Sequence, residues 1–599
     1  MGNDGLTSRA LRFICSLWFG LWLAALSLLG RVWVGAQAMG DSPDQSKSTA
    51  AAEYVGTRAC APCHKEIYAT YLQTAMGRSM SQVSQEWLRN KSSSASVQDK
   101  KNQLQFEVYV EGGKLYQTEH LAGPDGQEAF RNTHELEWII GAGENGFGGL
   151  VRRGDYLFQA PLSFYSKPGH WELSPGYEIE NPGFSRPILP ACISCHSGRP
   201  NAIPGGNGRF GNPPFFELAI GCENCHGPGL AHVLARQTEP DTYTGRDPSI
   251  INPASLTPRM ADNICMSCHQ TGDARILKPG KKAGDFRPGN PLDDTVSILM
   301  VPPKRESPPQ ADLLEHYYSM TLSKCYRASG ERMSCISCHD PHIEPRHEDA
   351  PEYFRKKCLT CHTEKSCRLL LQVRQQQKPA DDCAGCHMTK RDVREISHSS
   401  ITNHRILVRR DQPFPDIAFQ QTTPDLPDLI HLNPAPGKKG VPPSSLILLQ
   451  AYGELLGKHP EYASRYFALL QELERTDPGN PLVQGAIGNR DLHAGKYQQA
   501  ITHLQQALQN EPAKTISYTD LAAALVKLDR TSEALAALRK ASELDPFNPT
   551  VRKMLIVQLI QAKDYANAKM EMEDYVERFP DDSFMRQMLT RAQSAERQQ

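Results

Sequence analysis

The sequence predicts a mainly α-helical protein in two parts: a long region with little regular structure and a small β insertion, followed by an α-α solenoid. Three observations lead to this prediction. The pentad Cys-x-x-Cys-His occurs seven times between residues 60 and 387. Apolar and polar residues alternate within 103–160, and the chain after residue 444 repeats every 34 residues. At 599 residues the chain also exceeds a single hydrophobic core, so two or three domains are expected.

The seven pentads predict covalent haem attachment. Two thiols three positions apart can each add across a vinyl group of one haem, and the following histidine then lies beneath the iron as its proximal ligand. Chance would supply about 0.02 such pentads in a chain of this composition. Zinc knuckles and disulfides, the alternatives, do not need the histidine that all seven copies carry. We therefore predict seven covalent haem c groups.

The predicted site residues are as follows. The attachment cysteines are Cys60, Cys63, Cys192, Cys195, Cys222, Cys225, Cys265, Cys268, Cys335, Cys338, Cys358, Cys361, Cys383 and Cys386. The proximal histidines are His64, His196, His226, His269, His339, His362 and His387.

Six of the pentads lie within Cys192–His404, about 210 Gly- and Pro-rich residues, which is too little chain for an ordinary layered domain around each cofactor. The haems themselves are expected to form the core, wrapped by short helices and loops with little strand. The 66 basic and 67 acidic residues nearly cancel, which gives no global field pointing to nucleic acid or an anionic membrane. Haem propionates would make the loaded protein acidic.

The N-terminus predicts export. Arg9 and Arg12 precede the apolar run Phe13–Gly30, and Ala36-Gln37-Ala38 has the pattern of a cleavage site, so residues 1–38 are interpreted as a signal peptide. Because the apolar run is 18 residues long, an uncleaved membrane anchor is the alternative. Covalent haem attachment takes place outside the cytoplasmic membrane, so a periplasmic or cell-surface location is expected in either case. The seven-haem domain would then span 39–405.

After the first pentad, Lys65–Ser79 is expected to be helical, with Met76 and Met80 at i, i+4 on one face. A methionine sulfur is one kind of distal haem ligand, and packing against the porphyrin is the alternative role for both residues. A β insertion is expected at about 100–180. Its predicted strands are Gln103–Val110, Lys114–Glu119, Glu137–Ile140 and Tyr156–Ala160.

The C-terminal third predicts tetratricopeptide repeats. Prolines recur every 34 residues at Pro478, Pro512, Pro546 and Pro580, and small residues keep the same register, which is typical of stacked helix pairs. Three repeats cover 481–580 and a degenerate one covers 447–480, giving a repeat domain at 444–599. The stretch 406–443, which holds eight prolines between His404 and Ser444, is predicted to be an extended linker.

Seven irons require up to seven distal ligands, and the haem region offers nine further histidines. His342 lies three residues after His339, a reach of about 10 Å that cannot pass around a porphyrin, so His342 should ligate a neighbouring haem. The same argument applies less sharply to His232, six residues after His226. His398 and His404 would lie on different faces of a helix and so serve different irons.

The favoured distal ligands are His232, His316, His342, His398 and His404. Surface or propionate-pairing roles are the alternative for each, and are favoured for His120, His134, His170 and His347. The two cysteines left over in the haem region, Cys325 and Cys367, are expected to form a disulfide, with an unpaired thiol near a haem as the alternative.

The haem region resembles the cytochrome c-554 family, which is related to octahaem hydroxylamine oxidoreductases and pentahaem nitrite reductases. The resemblance covers roughly 55–405 and is carried by Cys222-Glu223-Asn224-Cys225-His226-Gly227-Pro228-Gly229 with His232, by Cys335–His339 with Asp340-Pro341-His342, and by His387-Met388 with His398 and His404. It implies that these extra histidines are distal ligands. The family's namesake has four haems rather than seven, and the β insertion has no counterpart there.

Two functional hypotheses follow. The first is an electron-transfer protein that passes electrons along seven haems between redox protein partners, with the repeats docking one of them. The second is an oxidoreductase that acts on a small nitrogen or sulfur compound at one five-coordinate haem, as enzymes of the related families do. No Cys-x-x-Cys-Lys occurs here, so the lysine-ligated haem typical of the nitrite reductases is not expected.

Overall fold

The computed structural model describes residues 53–91, 94–122, 127–238, 246–306, 314–390, 402–419 and 426–596. The described residues fall into two compact units. The first comprises the described residues up to Tyr466 except Gly205–Asn207, and the second comprises Gly205–Asn207 and the described residues from Phe467 onward. The predicted signal peptide 1–38 and the predicted ligand His398 lie outside these ranges. Within them, no helix is long and apolar enough to cross a membrane.

The first unit begins with two short helices and two antiparallel sheets. Their bounds are α1 Lys65–Tyr71, β1 Met80–Gln82, α2 Gln85–Lys91, β2 Ala95–Asp99, β3 Leu104–Glu111, β4 Lys114–Ala122, β5 Glu128–Glu135, β6 Trp138–Ile140, β7 Gly146–Arg153, β8 Tyr156–Tyr165 and β9 His170–Leu173. One sheet has the order β2-β3-β4-β5 and the other β1-β6-β7-β8-β9. The four predicted strands are all present, and two of them, β4 and β8, extend further than expected.

The alternating pattern explains the sheets, because it places apolar residues on one face of each strand. Phe106, Val108 and Leu115 are buried in the core that the two sheets share. Strand β7 was not predicted, since its glycines are unfavourable in a strand. At Gly149 an added Cβ would lie 2.5 Å from a Leu136 methyl group, so close packing requires glycine there.

The predicted helix Lys65–Ser79 is wrong in its second half. Helix α1 stops at Tyr71, where Thr74 Oγ1 donates to the Tyr71 carbonyl oxygen at 2.7 Å and closes a turn. Met80 lies on β1 and is buried among apolar side chains, so the two methionines do not share a helical face. For Met80 this favours the packing role.

The rest of the unit consists of short helices and small sheets. The helices are α3 Pro190–Ile193, α4 Glu223–His226, α5 Leu230–Thr238, α6 Pro258–His269, α7 His316–Thr321, α8 Lys324–Ala328, α9 Cys335–Cys338, α10 Ala350–Leu359, α11 Leu371–Gln375, α12 Cys383–His387 and α13 Ser445–Leu455. The strands are β10 Arg199–Ala202, β11 Phe210–Glu217, β12 Ala274–Leu277, β13 Val296–Met300 and β14 Ile430–His431. Short helices and little strand were expected between 192 and 404, and the described residues there form four short strands, of which β13 is fully buried and mostly apolar.

The Pro-rich stretch 406–443 differs from a free linker in its described parts. Strand β14 pairs with β13, and Leu429, Ile430 and Leu432 are buried. Asn433 fixes the pairing, since its Oδ1 accepts from the Ile298 amide at 2.8 Å. The described residues of this stretch therefore belong to the first unit.

The remaining helices form the helical repeat. They are α14 Ala463–Thr476, α15 Pro481–His493, α16 Tyr497–Asn510, α17 Thr515–Lys527, α18 Thr531–Leu544, α19 Pro549–Gln561, α20 Tyr565–Arg578 and α21 Ser583–Glu596. The first helices of successive pairs start at Pro481, Thr515, Pro549 and Ser583, which confirms the 34-residue period. The predicted small residues lie at helix crossings: Ala500, Ala534 and Ala568 are fully buried.

We expect residues 479–599, expressed alone, to form a folded helical domain, because their core is built from helix pairs without any haem motif.

Leu504 is completely buried, and an added Cβ at Gly488 would lie 2.6 Å from it. Leu504→Ala should lower the free energy of unfolding by about 2–5 kcal/mol, measured by urea denaturation followed by circular dichroism. The exposed neighbour Gln505→Ala is the control, with a change within about 0.5 kcal/mol. A fragment without cooperative unfolding would contradict the expectation.

Candidate functional site

The predicted attachment motifs adopt a common local structure. In four of them the histidine amide donates to the carbonyl oxygen of the first cysteine at 3.0 Å, which closes one helical turn; these bonds join His64 to Cys60, His226 to Cys222, His339 to Cys335 and His362 to Cys358. One turn places residues three and four positions apart on the same face. Both thiols and the histidine of a motif can therefore reach one planar cofactor.

Six of the seven motifs contribute residues to one cavity of the first unit. Its volume is about 2670 Å³, and its lining includes Cys195, Cys225, Cys268, Cys335, Cys358 and Cys383, one from each motif after the first. Pockets for single ligands measure about 300–1,000 Å³. The space is therefore large enough for several cofactors, and the motifs that would attach them lie on its wall.

Three pairs of histidines lie at the separation expected across one iron. With about 2.0 Å for each metal–nitrogen bond and about 1.1 Å from nitrogen to ring centre, two axial imidazoles have centres about 6 Å apart. The ring centres are 6.3 Å apart for His64 and His232, 6.0 Å for His226 and His342, and 6.2 Å for His339 and His404. The planes within each pair are inclined by 22°, 21° and 32°. The fourth favoured histidine, His316, has its ring centre 5.3 Å from that of His269.

Each of these pairs joins histidines from separate parts of the chain. His342 lies opposite His226 and not opposite its near neighbour His339, in agreement with the argument from chain length. His232 lies opposite His64 rather than His226. The structure thus brings together four predicted proximal histidines with four predicted distal ones.

Hydrogen bonds fix the tautomer of several of these rings. Nδ1 of His226 donates to the Ile251 carbonyl oxygen at 2.7 Å, and Nδ1 of His387 donates to that of Leu407 at 2.6 Å. A carbonyl oxygen can only accept, so Nε2 carries the lone pair that a metal ligand needs. Nδ1 of His404 is held in the same way by the Thr402 carbonyl oxygen at 2.9 Å. Metal-binding histidines commonly have this second partner.

His232 is held by a carboxylate that the sequence analysis missed. Its Nδ1 lies 2.9 Å from Asp247 Oδ2. Burial would raise the pKa of Asp247, but hydrogen bonds from Ser249 and His232 outweigh it and lower that pKa to about 2. Asp247 therefore remains ionised at neutral pH and accepts a hydrogen bond from Nδ1 of His232, so Nε2 carries the lone pair that a metal ligand needs. It lies fifteen residues from His232, and no motif links the two.

Burial also keeps the central histidines neutral, as iron ligation requires. It lowers the pKa of His316 to about 3 and that of His339 to about 4, with further lowering by neighbouring histidines. The pKa of His269 is lowered by burial alone. These groups lie where the imidazole rings are most crowded.

Cysteines of different motifs are close neighbours. A hydrogen bond from Cys60 lowers the pKa of Cys222 to about 7, and one from Cys268 lowers that of Cys195 to about 6. A third thiol hydrogen bond, from Cys335, lowers the pKa of Cys265. The first motif is thus beside the third, the second beside the fourth, and the fourth beside the fifth. Sequence order alone does not reveal these neighbours.

Glu223 ties the first motif to the third. This buried carboxylate accepts hydrogen bonds from the Val55, Gly56 and Gly229 amides at 3.0, 2.8 and 2.7 Å. It lies between the two cysteines of the third motif and holds the segment that leads into the first motif. Glu223 stands within the third motif in the sequence, but its role is not predictable from the motif because it depends on a contact across 168 residues.

Gln270 and Glu315 connect the fourth motif to His316. The Gln270 carbonyl oxygen Oε1 accepts from the Tyr317 and Tyr318 amides, each at 3.1 Å. Glu315 accepts from the Thr271 and Gly272 amides at 2.7 and 3.1 Å. Helix α7 therefore starts with its first residue, His316, directed to the region of His269.

The other candidates have different environments. His362 and His387 line the cavity, and in the part of the chain that the structure describes neither has an imidazole neighbour. His120, His134 and His170 lie on β4, β5 and β9, and His347 is exposed at the cavity. Among the described residues no group of three or more His, Cys, Asp or Glu is suited to a bare metal ion.

The expected disulfide between Cys325 and Cys367 is absent, since both thiols are free in the structure. Both line the cavity. Burial raises the pKa of Cys325, with a further increase from the neighbouring Cys361. The alternative, an unpaired thiol near predicted attachment sites, therefore describes Cys325 better.

Comparison with known proteins bears on the C-terminal part. A tetratricopeptide repeat family model matches residues 491–556. No curated protein matches the chain. Among solved structures, MamA from Desulfovibrio magneticus RS-1 is 18% identical with a TM-score of 0.21, covering 23% of this chain and 78% of that one. The first repeat domain of Spaghetti (RPAP3), bound to an HSP90 peptide, is 21% identical with a TM-score of 0.18. That match covers 19% of this chain and 94% of the other. A chain of the APC/C hetero-tetramer Cut9–Hcn1 is 20% identical with a TM-score of 0.21. That match covers 25% of this chain and 29% of the other.

If haem is attached through Cys222 and Cys225 as predicted, His342→Ala should leave its iron without a second imidazole, because His342 lies opposite His226. Electron paramagnetic resonance should show one low-spin iron converted to a high-spin or water-bound state. His347→Ala is the control, since His347 is exposed and should leave the spectrum unchanged. Conversion of the iron attached through Cys335 and Cys338, beside His339, would instead contradict the pairing of His342 with His226.

Glu223→Gln should loosen the segment before the first motif, because a neutral amide cannot accept three amide hydrogen bonds as strongly as a carboxylate. Hydrogen exchange should become at least tenfold faster at the Val55 and Gly56 amides. Asp155→Asn, which removes a surface ion pair with Arg209, should leave those amides unaffected. Equal exchange in both variants would contradict the role of Glu223.

Proposed function

We propose that this chain is an exported c-type cytochrome that carries seven covalent haems and transfers electrons along them, and that its repeat domain docks a protein partner. The single observation that best supports the proposal is the facing of His64 with His232, His226 with His342, and His339 with His404 at 6.0–6.3 Å. Packed aromatic rings in general have centres about 4.5–7 Å apart, so the support comes from which residues are paired. Each pair joins a predicted proximal histidine to a predicted distal histidine from a distant segment. An iron between the two rings of each pair accounts for this pairing.

The attachment motifs add a second line of support. Fourteen of the seventeen cysteines belong to pentads with a histidine, and at least one cysteine of each of six motifs borders the cavity. Haem, when bound, supplies one-electron exchange between ferric and ferrous iron. The chain would attach each haem through two thioethers, hold the iron from both sides and exclude water by burial.

The order of the motifs in space suggests the route. The thiol contacts link the first motif to the third, and the fourth to both the second and the fifth. Adjacent haems attached there would approach edge to edge, which favours electron hopping because tunnelling falls steeply with distance. The resemblance to the cytochrome c-554 family, drawn from the sequence, agrees with such an arrangement.

The repeat domain has a separate role. Tetratricopeptide repeats suggest protein–protein interaction, and the match at 491–556 supports docking of a protein partner. We propose that this partner belongs to the electron-transfer chain. Export to the periplasm or cell surface is proposed from residues 1–38, with an uncleaved anchor as the alternative.

A second function, an oxidoreductase acting on a small nitrogen or sulfur compound, rests on one observation. His362 and His387 lack an imidazole neighbour among the described residues, so the irons at these motifs are the candidates for an open coordination position. Electron paramagnetic resonance spectra of the oxidised protein distinguish the two functions. A high-spin signal that shifts with nitrite or hydroxylamine would favour the enzyme, and only low-spin signals would favour electron transfer.

The secreted protein should begin near Met39 and contain seven covalent haems. Intact mass gives both results at once, since each haem adds a fixed increment and retention of 1–38 adds a distinct one.

Cys338→Ala should weaken one attachment and lower the thermal stability of the first unit, because the haems replace a conventional core. Ser337→Ala, between the same two cysteines, is the control. A mass without haem would contradict the proposal.

A further inference from the structure

Four exposed apolar side chains lie between the last two haem motifs. Leu369, Leu370, Leu371 and Val373 are 49%, 70%, 38% and 44% exposed, and the last two belong to helix α11. Single exposed apolar residues are ordinary on a protein surface, but four within five residues form a continuous patch. We call these four residues the leucine patch.

The leucine patch is not simply the wall of the haem cavity. Leu369 contributes to the cavity lining, but Leu370, Leu371 and Val373 do not. Haems within the cavity would therefore leave these three side chains in contact with water. Exposed apolar area is unfavourable in water, and a contiguous exposed patch is typical of a protein-interaction surface.

Basic residues flank the leucine patch on both sides in the chain and have no acidic partner among the described residues. Lys365, Arg368 and Lys378 are exposed, and none forms an ion pair within the part of the chain that the structure describes. The surface around the patch is therefore positively charged. Such a rim attracts an acidic protein and speeds its approach.

The nearby carboxylates do not cancel this charge, because they are already paired. Glu364 and Asp381 both bind Arg355 and Arg374. Arg374 is itself buried and lies on α11. It donates to Glu364 Oε2 at 2.8 Å and to Asp381 Oδ1 at 2.6 Å.

These ion pairs also hold the leucine patch beside two attachment sites. Glu364 lies two residues after His362, and Asp381 lies two residues before Cys383. Cys361 and Cys386, the second cysteines of these motifs, are exposed. A protein seated on the patch would therefore be close to the haems attached there, as rapid electron exchange requires.

We propose that the leucine patch and its basic rim form a docking surface for an acidic redox protein, which exchanges electrons with the haems at Cys358–His362 and Cys383–His387. This inference rests on the proposed function, since it needs haems at those motifs. An apolar centre with a charged rim is the usual anatomy of a protein interface. The surface lies in the first unit and is distinct from the tetratricopeptide repeats.

The test measures electron transfer from a reduced, acidic plant-type ferredoxin to the full-length oxidised protein by stopped flow. One electron leaves the iron–sulfur cluster, which becomes oxidised, and one haem iron goes from ferric to ferrous. For the wild-type protein the second-order rate constant should fall steeply as salt is added. Lys365→Glu with Lys378→Glu should lower it by about tenfold or more at low salt and remove most of the salt dependence.

A matched charge change elsewhere provides the control. Lys438→Glu with Lys458→Glu alters the net charge equally at exposed positions of the same unit. It should leave the rate constant within about twofold of wild type if steering is local. Arg368 is not changed, because it lines the cavity and belongs to the haem surroundings.

The apolar part is tested separately with Leu370→Ser and Val373→Ser together. Both side chains are exposed, so folding and haem content should be preserved. The affinity for ferredoxin, read from saturation of the observed rate, should fall by about tenfold, while the salt dependence stays as in wild type.

Haem content is measured first, so that failures can be separated. If the wild-type protein contains no haem c, the proposed function falls and the docking surface with it. If all haems are present but the Lys365/Lys378 variant and the Lys438/Lys458 control behave alike, only the docking surface is overturned. An unchanged affinity in the Leu370/Val373 variant would likewise overturn it.

Discussion

The distance across a metal between two imidazole rings is the constraint on which the account of this protein depends. That distance is about 6 Å and leaves little freedom in the chain that supplies either ring. Here each facing pair takes its members from distant segments, His64 with His232 and His226 with His342 among them. The chain therefore cannot place one motif correctly without also placing another. Buried polar groups such as Glu223 and Gln270 secure the same long-range connections by hydrogen bonds.

This arrangement explains how a region with short helices and small sheets can have a defined structure. The described part of the first unit has apolar cores between its β sheets and around β13, but the motifs border a large cavity instead of a packed interior. Cofactors filling that space would supply the missing contacts. The repeat domain is built differently, since its helix pairs bury leucine and alanine against one another and need no cofactor.

Much of the fold was predictable, and the limits have physical causes. The 34-residue period fixed the helices from Pro481 onward because each repeat makes the same local contacts. The strand β7 was missed because glycine is usually unfavourable in strands and here serves close packing against Leu136. Within the site, the motif cysteines and histidines were identifiable from spacing, and chain length alone separated His342 from His339. Asp247 could not be foreseen, since its role depends on tertiary contact.

The most direct test of the central claim is a structure of the secreted, haem-loaded protein with its irons located by anomalous scattering. The account predicts seven irons, with those of the first, third and fifth motifs lying midway between His64 and His232, His226 and His342, and His339 and His404. Irons bound on one side only at these three motifs, or a zinc ion in place of iron, would contradict it.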